Sequence, residues 1–273
     1  MANDSSPEFE ILREDGPLLA LNKPAGLLTL GAIPGVPTLE RLVKQYLKDK
    51  YQKPGNVYLG IPHRLDRPVS GVVVFGRNSK VAARLAEQFR NRQVRKIYWA
   101  LVEQPPATAC GELVDWLLKS PDSATVSRVP PETPGAREAR LRYQVLDARS
   151  VCLNEFTPAD HGGAETQSSC ADHGWTLLEI EPLTGRTHQI RVQLAGHGCP
   201  IVGDLQYGAT TRLEQVPQAD PRDTPIALHA RSLTLRHPIR YDELTVTAPL
   251  PAYWRAALQA ARTIPIEDEP SSS

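Results

Sequence analysis

The chain has no disulfide framework, no long apolar run and no net charge. Its four cysteines, Cys110, Cys152, Cys170 and Cys199, form no CxxC pair and no regular spacing, which fits free thiols in a reducing compartment better than a stapled secreted fold. No stretch reaches the roughly 20 apolar residues that a membrane helix needs. The opening MANDSSPEFEILRED is polar and acidic, without the apolar centre of a secretory leader. A cytoplasmic protein is therefore expected. Lysine plus arginine number 31 and aspartate plus glutamate 31, so the total charge recommends no polyanionic partner and any such partner must be held by a local patch. No internal repeat and no regular βαβ alternation is visible, which points away from solenoids and doubly wound sheets.

What is there suffices for a large core. A chain of 273 residues, 41% hydrophobic, can bury on the order of three quarters of its unfolded surface without metal or disulfides. The charges are unevenly spread. Over residues 77–98 the bases Arg77, Lys80, Arg84, Arg90, Arg92, Arg95 and Lys96 face the single acid Glu87, whereas Glu267, Asp268 and Glu269 gather near the end. Such a run is either a solvated helix face or a local attraction for phosphate.

Periodicity places the elements. Residues 18–21 read as a strand closed by the turn formers of residues 22–26. Thr38 caps a helix carrying Leu39, Leu42, Val43, Tyr46 and Leu47, and Ser79 is the expected cap of a second with Val81, Ala82, Leu85, Ala86 and Phe89 inward. The β-branched run 72–75 reads as a strand buried on both faces, and VRKIYWALVE as another. Residues 121–135 read as a proline-rich connection, residues 139–146 as a strand, and residues 154–174 as a long loop or insertion. That stretch holds His161, Cys170 and His173, with Cys152 just before, but without the spacing of a closed zinc site. No metal site is expected. Residues 175–180 form a strand, Thr184 and Gly185 a turn, and Ile190, Val192, Leu194 and Ala195 the apolar positions of a helix ended by Gly196 and Gly198. ALHARSLTL is strand-like, and a last amphipathic helix runs through Trp254, Leu258 and Ala261. The pattern is α+β with a mixed, largely antiparallel sheet. The expected domain is 8–262, with residues 1–7 and 263–273 as disordered tails.

Reactive side chains concentrate in IPHRLDRPVSGVVVFGR at residues 61–77. Pro62 and Pro68 bracket His63, Arg64, Leu65, Asp66 and Arg67 and stiffen the loop, after which Gly71 releases the chain into the core strand. Asp66 thus stands at the lip of that strand. By itself it is either a loop carboxylate paired with Arg64 or Arg67, or a nucleophile kept ionised by a neighbouring guanidinium. On residue chemistry alone Lys23 is a surface lysine, Tyr98 a half-buried strand tyrosine and Arg186 a surface or phosphate contact.

HRLDRPVSG resembles the HRLD-x-x-[TS]-S-G signature of the RluA-like pseudouridine synthases. LNKPAGLLT, RKIYWALV, PLTGRTHQIRVQL, GDLQYG and LHARSLTLRHP resemble that family's other blocks in the family's order, over most of the chain. The resemblance implies an α+β fold whose central sheet is split into two lobes around an active-site cleft. It implies isomerisation of uridine in structured RNA, ribosomal or transfer, a reaction that needs no cofactor; a monomer is expected. Asp66 would be the nucleophile, Arg186 its basic partner and Tyr98 the residue that stacks on the uracil. Arg64 could enter the stack vacated by an extruded nucleotide, and His63, Lys23, Arg67, Arg92 and Arg95 would join it as RNA contacts. Val69 stands where the family pattern has threonine. The first family block begins so early that no amino-terminal S4-type domain is expected, which leaves RNA selection to the catalytic domain, residues 154–174 included. Two rivals remain: a non-catalytic RNA-binding or chaperoning module on the same fold, and a glycoside hydrolase, which would need a second carboxylate flanking the bond.

Overall fold

β-branched and aliphatic runs build the sheet, and their alternation decides where helices can lie. The structure is a computed structural model that describes residues 9–31, 35–121, 125–147, 174–213, 224–259 and 261. The tails expected at 1–7 and 263–273, and the zinc candidates Cys152, His161, Cys170 and His173, lie outside these residues. So does the 154–174 insertion, apart from Gly174. The chain divides into two compact units, residues 1–98 with 216–251 and residues 99–215 with 252–273.

In the first unit the strands β1 (Glu10–Asp15), β2 (Leu18–Lys23), β3 (Ser70–Gly76), β9 (Leu228–Arg236) and the part of β4 (Arg95–Val102) up to Tyr98 lie in the order β1-β2-β3-β9-β4, with β10 (Glu243–Thr247) on β9. The β1–β2, β2–β3 and β9–β10 pairs are antiparallel; β3–β9 is parallel. Every residue of β3 is buried, as its composition predicts. Leu18 and Ala20 of β2, Val72 and Val74 of β3, and Leu233 and Leu235 of β9 alternate onto one face. There Val81 and Leu85 of the helix α2 (Ser79–Arg90) complete the core. The cap of α2 is Asn78, not Ser79. Asn78 is extended and its Oδ1 accepts from Val81 N at 2.9 Å, which makes Ser79 the first helical residue. Thr38 caps the helix α1 (Leu39–Lys50) as expected, its Oγ1 accepting from Arg41 N at 3.3 Å.

In the second unit the order is β4-β8-β7-β5-β6, with β5 (Cys110–Lys119), β6 (Val126–Val129), β7 (Arg137–Leu146) and β8 (Thr176–Pro182) paired antiparallel. The stretch 121–135 is therefore more than a connection. Its centre, β6, pairs with β5 from Trp116↔Val129 to Lys119↔Val126. The helix α3 (Gln189–Gly196) buries its polar residues Gln189, Arg191 and Gln193 as deeply as its apolar ones. Each finds a partner: Arg191 makes a bidentate pair with Asp204 at 2.7 Å for both bonds, and Gln193 Nε2 donates to Asp115 Oδ2 at 2.9 Å. Burial of such groups is tolerated only when they are paired. The GDLQYG block that supplies Asp204 is thus the anchor of α3. The last helix, α4 (Tyr253–Gln259), stops before Ala261, which instead makes a bridge with Trp175. Among the described residues no helix is long and apolar enough to cross a membrane.

Candidate active site

The loop that carries Asp66 is held from below by the turn that follows β2. Gly26, at φ +84°, donates its N–H to Arg67 O at 2.8 Å, and Arg67 Nε returns a bond to Gly26 O at 2.9 Å. Thr29 Oγ1 donates to Leu65 O at 2.9 Å and accepts from Leu65 N at 3.2 Å. The surface-lysine expectation for Lys23 is overturned. Its side chain is 0% exposed, and Nζ donates to Leu27 O at 2.7 Å, Pro24 O at 2.9 Å and Arg67 O at 3.2 Å. Three carbonyls match the three hydrogens of an ammonium. Burial pushes its pKa down to about 7, opposed by the Asp66 carboxylate and reinforced by Arg67. Lys23 therefore ties the two segments together.

Asp66 is partly exposed at the end of this clamp, with Val69 N donating to its carbonyl at 3.1 Å. Tyr98, half-buried on β4, lies within its electrostatic reach. Burial raises the phenol pKa far above the ordinary value, and the Asp66 charge raises it further. The phenol is thus held as a neutral O–H beside a carboxylate, with a flat ring for a base to stack on.

His63, expected as an RNA contact, is used by the fold. Its Nε2 accepts from Val74 N at 3.0 Å, and its ring stacks on Phe89 at 4.4 Å between centroids. An acceptor Nε2 places the proton on Nδ1, and burial, with Lys96 nearby, pushes its pKa down to about 3. Arg67 is likewise committed to Gly26. Arg64 and Arg92 are exposed, Arg92 in the left-handed region at φ 56°, and Arg95 is exposed on β4.

Sequence reading missed a pair behind the loop. Ser70 and His229 are both 0% exposed, with Ser70 Oγ 2.8 Å from His229 Nδ1 and His229 Nε2 3.4 Å from Ala248 O. A carbonyl only accepts, so Nε2 carries the hydrogen and Ser70 donates to Nδ1. The two residues are 159 apart in sequence, and only the β3–β9 register brings Ser70 opposite His229. Val69 is itself buried, which leaves Ser70 as the hydroxyl that works at this corner.

Burial pushes His229 down to about 3, as it does His63. An unfolded histidine titrates near pH 6.5, so between about pH 6.5 and pH 3 the unfolded chain binds protons that the folded chain refuses. Stability is therefore full above that window and falls with acid, by about 1.4 kcal/mol per pH unit for each such histidine. Urea unfolding at a series of pH values measures this, and His229→Gln is expected to give a shallower acid slope. A wild-type midpoint that is flat between pH 7 and pH 4 would contradict it.

Arg186 belongs to the second unit, in the loop ahead of α3. Gln189 Oε1 accepts from Arg186 N at 3.0 Å and from Thr184 Oγ1 at 2.7 Å, and Arg186 Nε donates to Glu138 O at 2.9 Å. The TGRTHQ stretch is thus a rigid turn presenting one guanidinium. Among the described residues no group of three His, Cys, Asp or Glu is placed to hold a metal ion.

Residues 17–196 match the family model described as RNA pseudouridylate synthase. The chain is 30% identical over 274 residues to the Mus musculus protein named pseudouridylate synthase RPUSD4, mitochondrial, covering 95% of this chain and 71% of that one. It is 32% identical over 247 residues to tRNA pseudouridine synthase C of Haemophilus influenzae, covering 90% and 95%. Among solved structures, Human RNA Pseudouridylate Synthase Domain Containing 4 matches with a TM-score of 0.67 at 27% identity, with 92% of each chain covered.

Proposed function

The chain belongs to the RNA pseudouridylate synthase family, and from that membership we propose that Asp66 is the nucleophile with which it isomerises uridine to pseudouridine in ribosomal or transfer RNA. The reaction breaks N1–C1′, turns the uracil and forms C5–C1′, so one carboxylate that bonds transiently to the nucleotide divides a hard step into easier ones. Electrons balance within the nucleotide, and the proton lost from C5 ends on N1. The observation that carries the reading is the match of residues 17–196 to the family model, with Asp66 in the loop that the family signature occupies and its charge acting on the Tyr98 phenol.

In this reading Tyr98 stacks on the uracil, and Arg186 takes, by family resemblance alone, the part of the basic residue. The target nucleotide leaves its stack, at a cost of a few kcal/mol. Arg64 takes the vacated place, while Arg92 and Arg95 meet phosphates. Residues 8–262 act as the catalytic domain of a cytoplasmic monomer. The related sequence named tRNA pseudouridine synthase C favours a transfer RNA target, and ribosomal RNA is the second reading. The test is a map of pseudouridine across cellular RNA with and without the gene. Discrete sites should vanish on deletion and return with the wild-type gene; an unchanged map would refute the activity.

A further inference from the structure

The second unit contains a cavity of about 390 Å³ whose charged wall is entirely cationic: Lys119, Arg137 and Arg186, with Leu117, Leu118 and Val126 as its apolar side. Strand register explains how the cations converge. Arg137 stands opposite Leu117 in the β5–β7 ladder. Lys119 is two residues beyond Leu117 and so shares its face. That face is the one on which Leu117, Val126 and Ala139 pack against Val192 of α3. The loop before α3 then closes the cavity with Gly185, Arg186 and Thr187. The neighbouring acid, Glu138, is one residue out of phase and pairs with Arg140 at 2.8 Å.

Like charges at neighbouring cross-strand positions destabilise a sheet, and among the described residues neither Lys119 nor Arg137 has a carboxylate partner. An anion from outside would supply the missing charge, and the apolar side lowers the local dielectric in which it is held. We propose that this cavity is a phosphate-binding subsite, in which Lys119 and Arg137 grip a phosphodiester of the substrate RNA close to Arg186. The assignment rests on the RNA-substrate reading and adds two binding residues that no sequence block singles out.

A fluorescein-labelled single-stranded oligouridylate, titrated by polarisation at several salt concentrations, tests it. Each phosphate contact to a single strand contributes about 0.7 to the slope of log K against log salt, so the double substitution Lys119→Gln, Arg137→Gln should lower that slope by about 1.4 and weaken low-salt binding at least tenfold. Both side chains are exposed, so the variant should keep its fold. Lys44→Gln, on α1 and paired with Glu40, removes a charge elsewhere and should leave the slope alone. An unchanged slope in the double variant, or an equal change in Lys44→Gln, overturns the subsite. Inorganic phosphate competing as well as the oligonucleotide at equal phosphate would overturn the RNA assignment in favour of a free-anion site. If the subsite is overturned while discrete pseudouridine sites still vanish on deletion of the gene, the enzyme reading stands; a map that deletion leaves unchanged would remove both.

Discussion

Asp66→Asn should abolish pseudouridine formation, with a fall in kcat of at least about four orders of magnitude, the scale on which enzymes lose activity when a covalent nucleophile is removed. The amide is isosteric, so the loop clamped by Lys23, Gly26 and Thr29 should hold its shape and RNA affinity should stay within a few fold. The substitution also removes the negative charge that helps raise the Tyr98 phenol. Spectrophotometric titration should accordingly show one tyrosine moving back toward its ordinary range while remaining held up by burial. Residual turnover within tenfold of wild type would end the nucleophile assignment. RNA binding by both proteins, with no pseudouridine from either, would instead favour the non-catalytic module, and cleavage of a sugar substrate the hydrolase.

Much of the molecule can be read from its sequence where one local rule dominates. The uninterrupted run 72–75 is buried throughout. Thr38 begins α1 because a hydroxyl precedes an apolar helical stripe. The order of family blocks correctly announces the synthase family and its α+β fold. The elements that escape reading are those whose burial pattern inverts the usual one. In β5, Val114 is exposed while Asp115 is buried, because Arg128, Gln193 and His197 satisfy that carboxylate from elsewhere. No periodicity announces such a strand. β1 is a charged edge whose residues are at most half-buried, as edges tend to be. β10 did carry a signal, the alternation of Leu244 and Val246. Motifs single out Asp66 and Tyr98, and in the fold the Asp66 charge acts on the Tyr98 phenol. The inward turn of Lys23 is not legible, since only the folded turn shows three carbonyls converging on one nitrogen. The Ser70–His229 pair depends on a parallel register that no local window contains.

That register leads to the second large effect, at Gly71. Its φ is +116°, a conformation that side chains rarely adopt, and a Cβ placed on it would lie 2.3 Å from Ala230 O, 2.6 Å from Ala230 N and 2.7 Å from Ala230 C. All three atoms are backbone of the strand with which β3 pairs, so no side chain can swing aside. Gly71→Ala must part β3 from β9 at the point where Gly71 lies opposite Ala230 and Ser70 opposite His229. Strain at positive φ, about 1–2 kcal/mol, adds to overpacking of about 1–3 kcal/mol. A weakened Ser70–His229 bond then leaves buried polar groups poorly satisfied. The expected loss is about 4 kcal/mol, read from urea unfolding, with Gly55→Ala as the comparison because nothing lies within 4 Å of its added carbon. The damage should not stay in the strand. Pro68 O accepts from Ile226 N at 3.2 Å on the same seam, and Asp66 is two residues further back, so the molecules that remain folded should also show a lowered kcat. Stability equal to that of Gly55→Ala would mean that the two strands can separate without harm. The close approach of β3 to β9 would then not be what seats the Asp66 loop.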